Sequence, residues 1–536
     1  MPFHQKLLCW IERRNKEIAF LLLGGIFLYT CLRAWFVSLS HDEALSYLHH
    51  ASSSFSTILT YSSPYPSNNH LLNSILMKIS ILFFGLSEFA VRLPALLGHV
   101  LYLCGVYKIC RLVLSPRLQI AGMILLVTNP FLLDLFSCAR GYALALGFLS
   151  LGTFYYLKGI AFCSDLSSYR KYFLLAGIFY TLSTLANLAF LHINLSLFFV
   201  IIAYECICFY NRRENRLHLL QNWKIFLSTL LPILCQMFFL FIVYLVPIIK
   251  LKKYEEFYYG GEDGFWKSTV TSLIEDTLYG RSFASLPVVL MIKILISLFL
   301  IIVIGRLIGQ VVRRIPLLVF SKPMERKKAI EKNDQSISGL ILLLGVCITA
   351  IVLQWELLHT KYVISRTASY FLPLFYILCL LFWQGSQSWG KGLRAVVSLV
   401  YSLLIIIASW HFLANANISY FAHVKYDAST KFAMAYLRDL NHNRIIPPLS
   451  QSIGINWMFE PSVNFYRVKY HLDWLKPVHR QGPISKFDYY YLVLTERTCE
   501  DEKELFKSFL AREKYQLEIL QEYDLTDTIL AVPKNR

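Results

Sequence analysis

Charged residues are scarce in this chain. Asp, Glu, Lys and Arg make up 16% of its 536 residues, against about 25% in soluble domains. Hydrophobic residues make up 56%, and the mean hydropathy is +0.49. This composition excludes an ordinary soluble domain and predicts a protein with several membrane spans.

The chain also lacks a long basic tail, although its formal net charge is +18. Lys and Arg instead cluster at the ends of apolar segments, which is the positive-inside pattern of membrane proteins. We therefore expect membrane lipids around the chain and no nucleic acid as a partner. The stretch between His41 and Met77 holds no Lys or Arg, so we place it outside.

Several motifs of known chemistry are missing: the Walker loop, the dinucleotide fingerprint, His-Glu-x-x-His and Cys-x-x-Cys. Only one of the 12 cysteines, Cys499, lies in the polar C-terminal region, so no disulfide framework is predicted there. Asp42, Glu43, His49 and His50 are a weak candidate metal group, because adjacent histidines point to different helix faces. No cofactor is predicted with certainty, and a divalent metal stays open.

Apolar stretches of about 20 residues predict eleven transmembrane helices, with the N-terminus inside and the C-terminus outside. A break is expected at Asn129-Pro130, and Leu71 to Phe84 is too short to span and predicts an interfacial or re-entrant helix. The predicted spans lie near residues 17–38, 88–110, 118–136, 141–158, 172–190, 193–210, 225–247, 286–308, 338–358, 368–384 and 395–414.

The predicted fold is an all-α polytopic membrane protein with a small α/β domain at its C-terminus. Residues 1–415 would form the transmembrane domain, with an outer loop at 39–87, and residues 416–536 a soluble domain outside the membrane. In that second domain, alternating helical and strand-like patterns predict a compact α/β fold. The helices are expected at Thr430–Leu440 and Glu502–Arg512, and the strands at Tyr489–Thr495, Tyr515–Glu522 and Thr528–Val532.

Two adjacent carboxylates, Asp42 and Glu43, follow the first apolar stretch. Charges so close to a bilayer are unfavourable unless they face water, a partner or a substrate. The ordinary explanation is a helix start, with Ser40 as its cap and the acids in the first turn. A helix start can also present a carboxylate to a pocket, so the two explanations are compatible.

Arg140 is flanked by apolar helices and followed by Gly141, which permits a close approach of the backbone. A planar guanidinium beside the membrane suits a phosphate or a carboxylate. It equally suits a snorkelling arginine or an ion pair with Asp134. Another outer cationic patch, around Arg366, precedes the tenth predicted span and is a candidate for an anionic headgroup.

Two other stretches have structural interpretations. Glu88 and Arg92 are four residues apart, in the order that favours an ion pair on one helix face, and we expect them to pair. The loop from Tyr254 to Trp266 is aromatic, acidic and rich in glycine. It fits either sugar stacking or an aromatic belt at the membrane interface.

Together these motifs resemble the glycosyltransferase C superfamily, and within it family 39, which includes protein O-mannosyltransferases and the aminoarabinose transferases of lipid A. The resemblance extends to about residue 415 and is specific in order and topology, although each motif alone is loose. It is carried by Asp42-Glu43, Ser87 to Pro94, Ala139 to Tyr142 and Arg366 to Pro373.

The resemblance implies a sugar donor linked to a polyprenyl phosphate and an active site on the outer face. By resemblance, Asp42 is the catalytic carboxylate, with Glu43 secondary, and Arg140 binds the donor phosphate. Many relatives carry a His/Lys-Pro-Pro-Leu stretch where this chain has residues 68–73, which leaves the donor or acceptor identity open. Further candidates are Tyr142 and Arg366 at the phosphate, and His70, Asn69 and Tyr370 at the substrate.

The predicted activity is transfer of a hexosyl or pentosyl group to a lipid, glycan or protein acceptor, at a bacterial inner membrane and on its periplasmic or exterior side. Inversion is expected, because no second carboxylate is clearly placed as a nucleophile. A transporter or lipid flippase is the alternative, and a scaffold is a third. Transporters favour repeated halves and midplane sites, whereas no internal repeat is visible here.

Overall fold

The computed structural model describes residues 13–161, 166–212, 219–279, 285–320, 332–442, 450–480, 485–493 and 517–534. Most of them are helical, and the strands lie near the C-terminus. The α-helices are α1 (Asn15–Phe36), α2 (His41–Leu45), α3 (Phe55–Thr60), α4 (Leu71–Phe84), α5 (Glu88–Val113), α6 (Pro116–Val127), α7 (Pro130–Ser137), α8 (Tyr142–Ala161), α9 (Leu166–Ala186), α10 (Leu191–Arg212), α11 (Leu219–Lys253), α12 (Thr271–Leu278), α13 (Leu286–Phe320), α14 (Lys332–Leu358), α15 (Phe371–Ser386), α16 (Lys391–Asn415), α17 (Thr430–His442) and α18 (Glu460–Lys469).

Eight described helices, or nine if a bent pair counts as one span, are long and apolar enough to cross a membrane. The chain is therefore a multi-pass membrane protein. The expected count of eleven is not confirmed, because α9 is not among these helices and α15 has only 16 residues. The helices that are long and apolar enough to cross a membrane are α1, α5, α8, α10, α11, α13, α14 and α16.

The third predicted span is broken at Asn129-Pro130, as expected, and α6 and α7 meet there at 65°. Pro130 has no N–H to continue the ladder of α6, but it suits the first position of a new helix. Asn129 caps that helix, since its side chain accepts from Leu132 N at 3.2 Å. The break redirects the chain toward the Arg140 loop.

Close packing of α5 against α8 fixes the two helices that carry Arg92 and follow Arg140. A side chain at Gly98 of α5 would place its Cβ 2.4 Å from the backbone nitrogen of Leu144 in α8. Small residues allow this contact between apolar helices. The framework beneath the site is therefore a tightly packed helix pair.

The C-terminal region contains a four-stranded sheet in the order β1-β2-β4-β3. β1 and β2 are parallel, whereas β4 pairs antiparallel with both of its neighbours. Three strands and α17 confirm the sequence pattern, but β1 and α18 were missed. The helix expected at Glu502–Arg512 lies outside the described residues. The strands are β1 (Ile453–Ile455), β2 (Tyr489–Val493), β3 (Leu517–Tyr523) and β4 (Thr528–Pro533).

The connection from α16 to this region is fixed by a buried ion pair. Arg33 Nη1 of α1 lies 2.5 Å from Asp134 Oδ1 of α7. Arg33 also donates to the carbonyl of Tyr420 at 2.7 Å, and Asp134 accepts from the N–H of Ala422 at 3.0 Å. Asp134 is thus the partner of Arg33, and the alternative pair with Arg140 is wrong.

Candidate active site

Glu43 is the structural centre of the acidic motif. α2 begins after Ser40, and the fully buried carboxylate of Glu43 accepts from the N–H and hydroxyl of Ser40, both at 2.9 Å. It also accepts from Arg92 Nε and Nη2, each at 2.7 Å, and from the N–H of Ala139 at 2.5 Å. Burial alone would raise the pKa of Glu43, but Arg92 and these hydrogen bonds lower it. The expected helix start is confirmed.

The expected pair between Glu88 and Arg92 is wrong. Arg92 turns inward to Glu43, while Glu88 lies 3.3 Å from Lys431 Nζ and forms a closer pair with Lys469. Helical spacing made the pair on one helix possible, but partners distant in sequence offered each charge a better position. Glu88 thereby fastens the C-terminal region to α5.

Asp42 faces a different environment. Its side chain is 23% exposed, and Oδ2 lies 2.5 Å from Arg366 Nη1 and 3.9 Å from Arg140 Nη2. Three residues that the sequence singled out separately therefore meet at one point. Burial would raise the pKa of Asp42, but Arg366 first and Arg140 next hold it well below its usual range. The carboxylate is ionised at any physiological pH.

Arg140 is buried and reaches across the loop before α4. It donates to the hydroxyl of Ser46 at 3.2 Å and to the side-chain oxygen of Asn68 in a close contact. Its Nε is buried and has no hydrogen-bond partner in the described part of the chain. Asn68 was not predicted. Its position in the stretch that departs from the family pattern was the available signal.

His70 and Tyr142 lie beside Arg140. Their rings meet edge to face at 5.2 Å. Gly141 permits this contact, because a Cβ there would lie 2.8 Å from His70 Cβ. Burial, with Arg140 and Arg366, holds the pKa of His70 well below its usual range, so the ring is neutral. Its buried Nε2 has no partner among the described residues.

The structure does not bring the other two predicted substrate residues into this cluster. The side-chain amide of Asn69 donates to Ile58 O of α3 at 2.8 Å and accepts from Ser74 Oγ of α4 at 2.9 Å, so it joins these two helices. Tyr370 is fully buried, with its ring 5.2 Å from that of Phe190 in the helical core. Asn69 and Tyr370 are close in sequence to His70 and Arg366, but their side chains contact other parts of the structure.

The aromatic loop from Tyr254 to Trp266 reaches the site through Tyr259. The guanidinium of Arg366 lies over that ring at 5.3 Å from its centre. Arg366 is 32% exposed, so it lies at the exposed edge of the cluster, whereas Arg140 is buried. No group of three or more His, Cys, Asp or Glu side chains that could hold a metal occurs among the residues that the structure describes.

No protein-family model and no curated protein matches the chain. Among solved structures, it is similar to ArnT from Cupriavidus metallidurans in the apo state, with 10% identity over 96% of this chain and 97% of that one, at a TM-score of 0.48. The same protein bound to undecaprenyl phosphate gives 11%, 95% and 97%, at 0.46. The Archaeoglobus fulgidus oligosaccharyltransferase with zinc and sulfate gives 12%, 87% and 68%, at 0.43.

Proposed function

We propose that this chain is a membrane glycosyltransferase of the glycosyltransferase C type, which moves a sugar from a polyprenyl-phosphate donor to an acceptor hydroxyl. One observation carries the proposal. Arg140 and Arg366 lie 98 and 324 positions after Asp42 in sequence. The three residues nevertheless form one partly open cluster of a carboxylate and two guanidinium groups. The reaction needs these same charges, a base for the acceptor and cations for the leaving phosphate.

The deeper half of the cluster suits a phosphate. Arg140 Nε and His70 Nε2 are buried polar atoms without protein partners in the described ranges. Phosphate oxygens accept hydrogen bonds, and the planar guanidinium can bind two of them at once. Arg366, at the exposed edge of the cluster, supplies a second cation. Tyr142 contributes by holding the ring of His70 in place.

The upper half supplies the base. As the acceptor oxygen bonds to the anomeric carbon, its proton passes to Asp42, and the phosphate leaves with the electrons of the broken bond. In the resting cluster Asp42 is a weak base, because two arginines stabilise its charge. A donor phosphate competes for those arginines, and its binding therefore makes Asp42 more basic when the sugar arrives.

The finer assignments rest on the sequence resemblance. They are membership of family 39, transfer of a hexosyl or pentosyl group with inversion, and a lipid, glycan or protein acceptor. The location at a bacterial inner membrane, with the site facing the periplasm or exterior, has the same basis. The division into a transmembrane part, 1–415, and a soluble part, 416–536, rests instead on the apolar and alternating patterns of the sequence.

A transfer assay tests the proposal. Purified full-length protein would be incubated with a panel of radiolabelled polyprenyl-phosphate sugars and membrane extracts as acceptors. We expect label to move from at least one donor in the wild type and in Asp263→Asn, an exposed acid that pairs with Lys267, and not in Asp42→Asn. Movement of the intact donor lipid from one leaflet of a vesicle membrane to the other, without sugar transfer, would favour a flippase instead.

The side of the membrane is tested separately. Ser56 and Ser485 are exposed and lie on the proposed outer face. A cysteine at either position should react with an impermeant maleimide in intact cells, with labelling located by peptide mass spectrometry. Protection of both positions until the cells are opened would reverse the topology.

A further inference from the structure

The C-terminal region contacts the start of α2 through Asp427, Met458 and Arg480, which we call the second wall of the site. His41 links that wall to Asp42. The backbone N–H of His41 donates to Asp427 Oδ2 at 2.7 Å. Its ring Nδ1 lies 2.7 Å from the carbonyl oxygen of Met458, and its Nε2 lies 3.0 Å from Arg480 Nη2. Because Asp42 is the next residue in the chain, the C-terminal region reaches to within one residue of the proposed base.

These contacts fix the state of the His41 ring. A carbonyl oxygen only accepts, so Nδ1 must donate to Met458. Nε2 then presents its lone pair to Arg480, whose guanidinium only donates. Burial lowers the pKa of His41, and Arg480 and Arg140 lower it too, whereas the hydrogen bond to Met458 and the charge of Asp42 raise it. The two hydrogen bonds make His41 a neutral acceptor for Arg480 and not an anionic partner.

Arg480 has the features of a guanidinium prepared for an anion. It is exposed and forms no ion pair within the described part of the chain. Its guanidinium lies over the ring of Trp457 at 5.0 Å and over that of Tyr65 at 5.3 Å. Tyr65 has a left-handed backbone, with φ of 55°, which is uncommon outside glycine. Stacking fixes the plane of the guanidinium, so its N–H edge suits bidentate binding of phosphate.

An unpartnered carboxylate oxygen lies in the same cluster. Glu460 Oε2 is buried and has no hydrogen-bond partner among the described residues, while Oε1 accepts from Asn464 at 3.4 Å. Burial raises the pKa of Glu460, and Arg480 is the first of the groups that lower it. A carboxylate oxygen without a protein partner is suited to accept from a sugar hydroxyl. The cluster thus offers one position for an anion and one for a hydroxyl.

We propose that Arg480, together with Trp457, Tyr65 and Glu460, binds the sugar acceptor through a phosphate group and thereby presents an acceptor hydroxyl to Asp42. That this ligand is an acceptor rests on the proposed function, whereas the phosphate site stands on its own contacts. The ligand class is a phosphate ester that carries hydroxyl groups, from either a phospholipid or a soluble sugar phosphate.

The competing explanation is that Arg480 only fastens the C-terminal region to α2. The structural arginines of this protein look different. Arg33 and Arg92 are fully buried, and each has a carboxylate partner, Asp134 and Glu43 respectively. Arg480 has neither property, and among the described residues its one side-chain hydrogen bond goes to the neutral ring of His41. This contrast favours a ligand over a fastening role.

Arginine-specific labelling tests the site without any transfer assay. Purified full-length protein in detergent is treated with phenylglyoxal, and labelling at Arg480 is measured by peptide mass spectrometry. The probes are glucose 1-phosphate and phosphatidylglycerol, with glucose and diacylglycerol as neutral matches. Arg438 is the internal control, since it is exposed and stacks on Tyr470 at 5.0 Å but is paired with Asp439.

We expect at least one phosphate probe to reduce labelling of Arg480 several-fold, while Arg438 and the neutral arms stay unchanged. The effective probe identifies the source, lipid or soluble. Equal labelling of Arg480 in all arms would overturn the site, and so would equal protection of Arg438 or equal protection by the neutral matches.

Kinetics then tests the role. With an active donor and acceptor, Arg480→Gln should raise the acceptor KM by about 10- to 100-fold, as expected for a lost charged hydrogen bond. The donor KM should not change, Arg480→Lys should recover part of the loss, and Arg438→Gln should behave as wild type. If both the donor affinity and the thermal stability fall, Arg480 only fastens the C-terminal region to α2. If no donor supports transfer, the proposed function fails, but the labelling result still decides the phosphate site.

Discussion

Asp42 and Glu43 are neighbours in sequence, yet they occupy opposite kinds of site. Glu43 is fully buried, and its two oxygens accept five hydrogen bonds from Ser40, Arg92 and Ala139. Asp42 is partly exposed, and Arg140 beside it has a buried Nε without a hydrogen-bond partner in the described part of the chain. Successive helical residues point about 100° apart. A single residue step therefore separates a structural carboxylate from a candidate catalytic one.

The largest expected effect comes from Asp42→Asn. The change keeps the size of the side chain but removes the basic oxygen, so turnover should fall by about 100- to 10,000-fold, the range of general acid–base catalysis. Donor affinity should be kept or increased, because Arg366 and Arg140 lose a competitor for phosphate. Single-turnover transfer with donor binding in parallel checks this, and near-normal turnover would reduce Asp42 to a helix-start residue.

The next effect is on stability rather than chemistry. Glu43→Gln leaves the buried Arg92 without its anion, which should destabilise the fold by about 3–5 kcal/mol. Thermal unfolding in detergent measures the loss. Glu43→Gln combined with Arg92→Met should lose clearly less than the sum of the two single changes, because neither charge is then left alone. Additive losses would contradict the pairing, and normal stability with abolished turnover would exchange the roles of Glu43 and Asp42.

A smaller effect is expected for Arg140→Lys, which keeps the charge but not the planar fork. Donor affinity should fall by about 10- to 100-fold, since a charged hydrogen bond contributes about 1.5–3 kcal/mol. Arg140→Ala should be weaker still. Equilibrium binding of a polyprenyl phosphate checks both variants, and Arg438→Gln serves as the control. Unchanged binding in both variants would return Arg140 to the snorkelling explanation.

The sequence predicted this comparison only in part. Apolar length and charge placement were enough for most of the long helices, for the break at Asn129 and for the helix start at Ser40, but the count of eleven spans is not confirmed. They also identified Asp42, Arg140 and Arg366 as separate candidates. That these three meet could be expected only from the resemblance, because no local pattern specifies a contact across 324 positions.

What the sequence could not show depends on tertiary competition. Helical spacing favoured Glu88 for Arg92, but the chain brings Glu43 to it instead. The distinction between Asn68, at the arginine, and Asn69, in the loop, depends on which amide faces inward. The contact of Arg480 with His41 joins positions 439 apart, so neither pattern nor spacing could reveal the second wall.

A third carboxylate sharpens the comparison with the smallest expected effect. Asp427 is buried against α2 like Glu43, but its partners are all uncharged: the N–H of His41 at 2.7 Å and the hydroxyls of Thr430 and Ser462 at 3.1 and 2.6 Å. Burial raises the pKa of Asp427 to about 7, and the charge of Glu43 adds to this, against the hydrogen bonds. The presence of a cation therefore separates the three carboxylates: both acids beside arginines have lowered pKa values, and the one without has a raised pKa.

The raised pKa fixes the sign of a pH dependence. Folded Asp427 holds its proton more tightly than the unfolded chain does, so its contribution to stability is complete below about pH 4, the unfolded pKa. That contribution is lost as the pH rises through about 7.

Asp427→Asn mimics the protonated form, since its amide can donate to the two hydroxyls and its oxygen can accept from His41. The difference in melting temperature between pH 5 and pH 7.5 should therefore shrink by about 2–4 °C in the variant. Thermal unfolding at the two pH values measures it, with Asp263→Asn as the control. An unchanged difference would mean that Asp427 is already ionised in the folded protein, and that burial without a cation does not set the state of carboxylates beside α2.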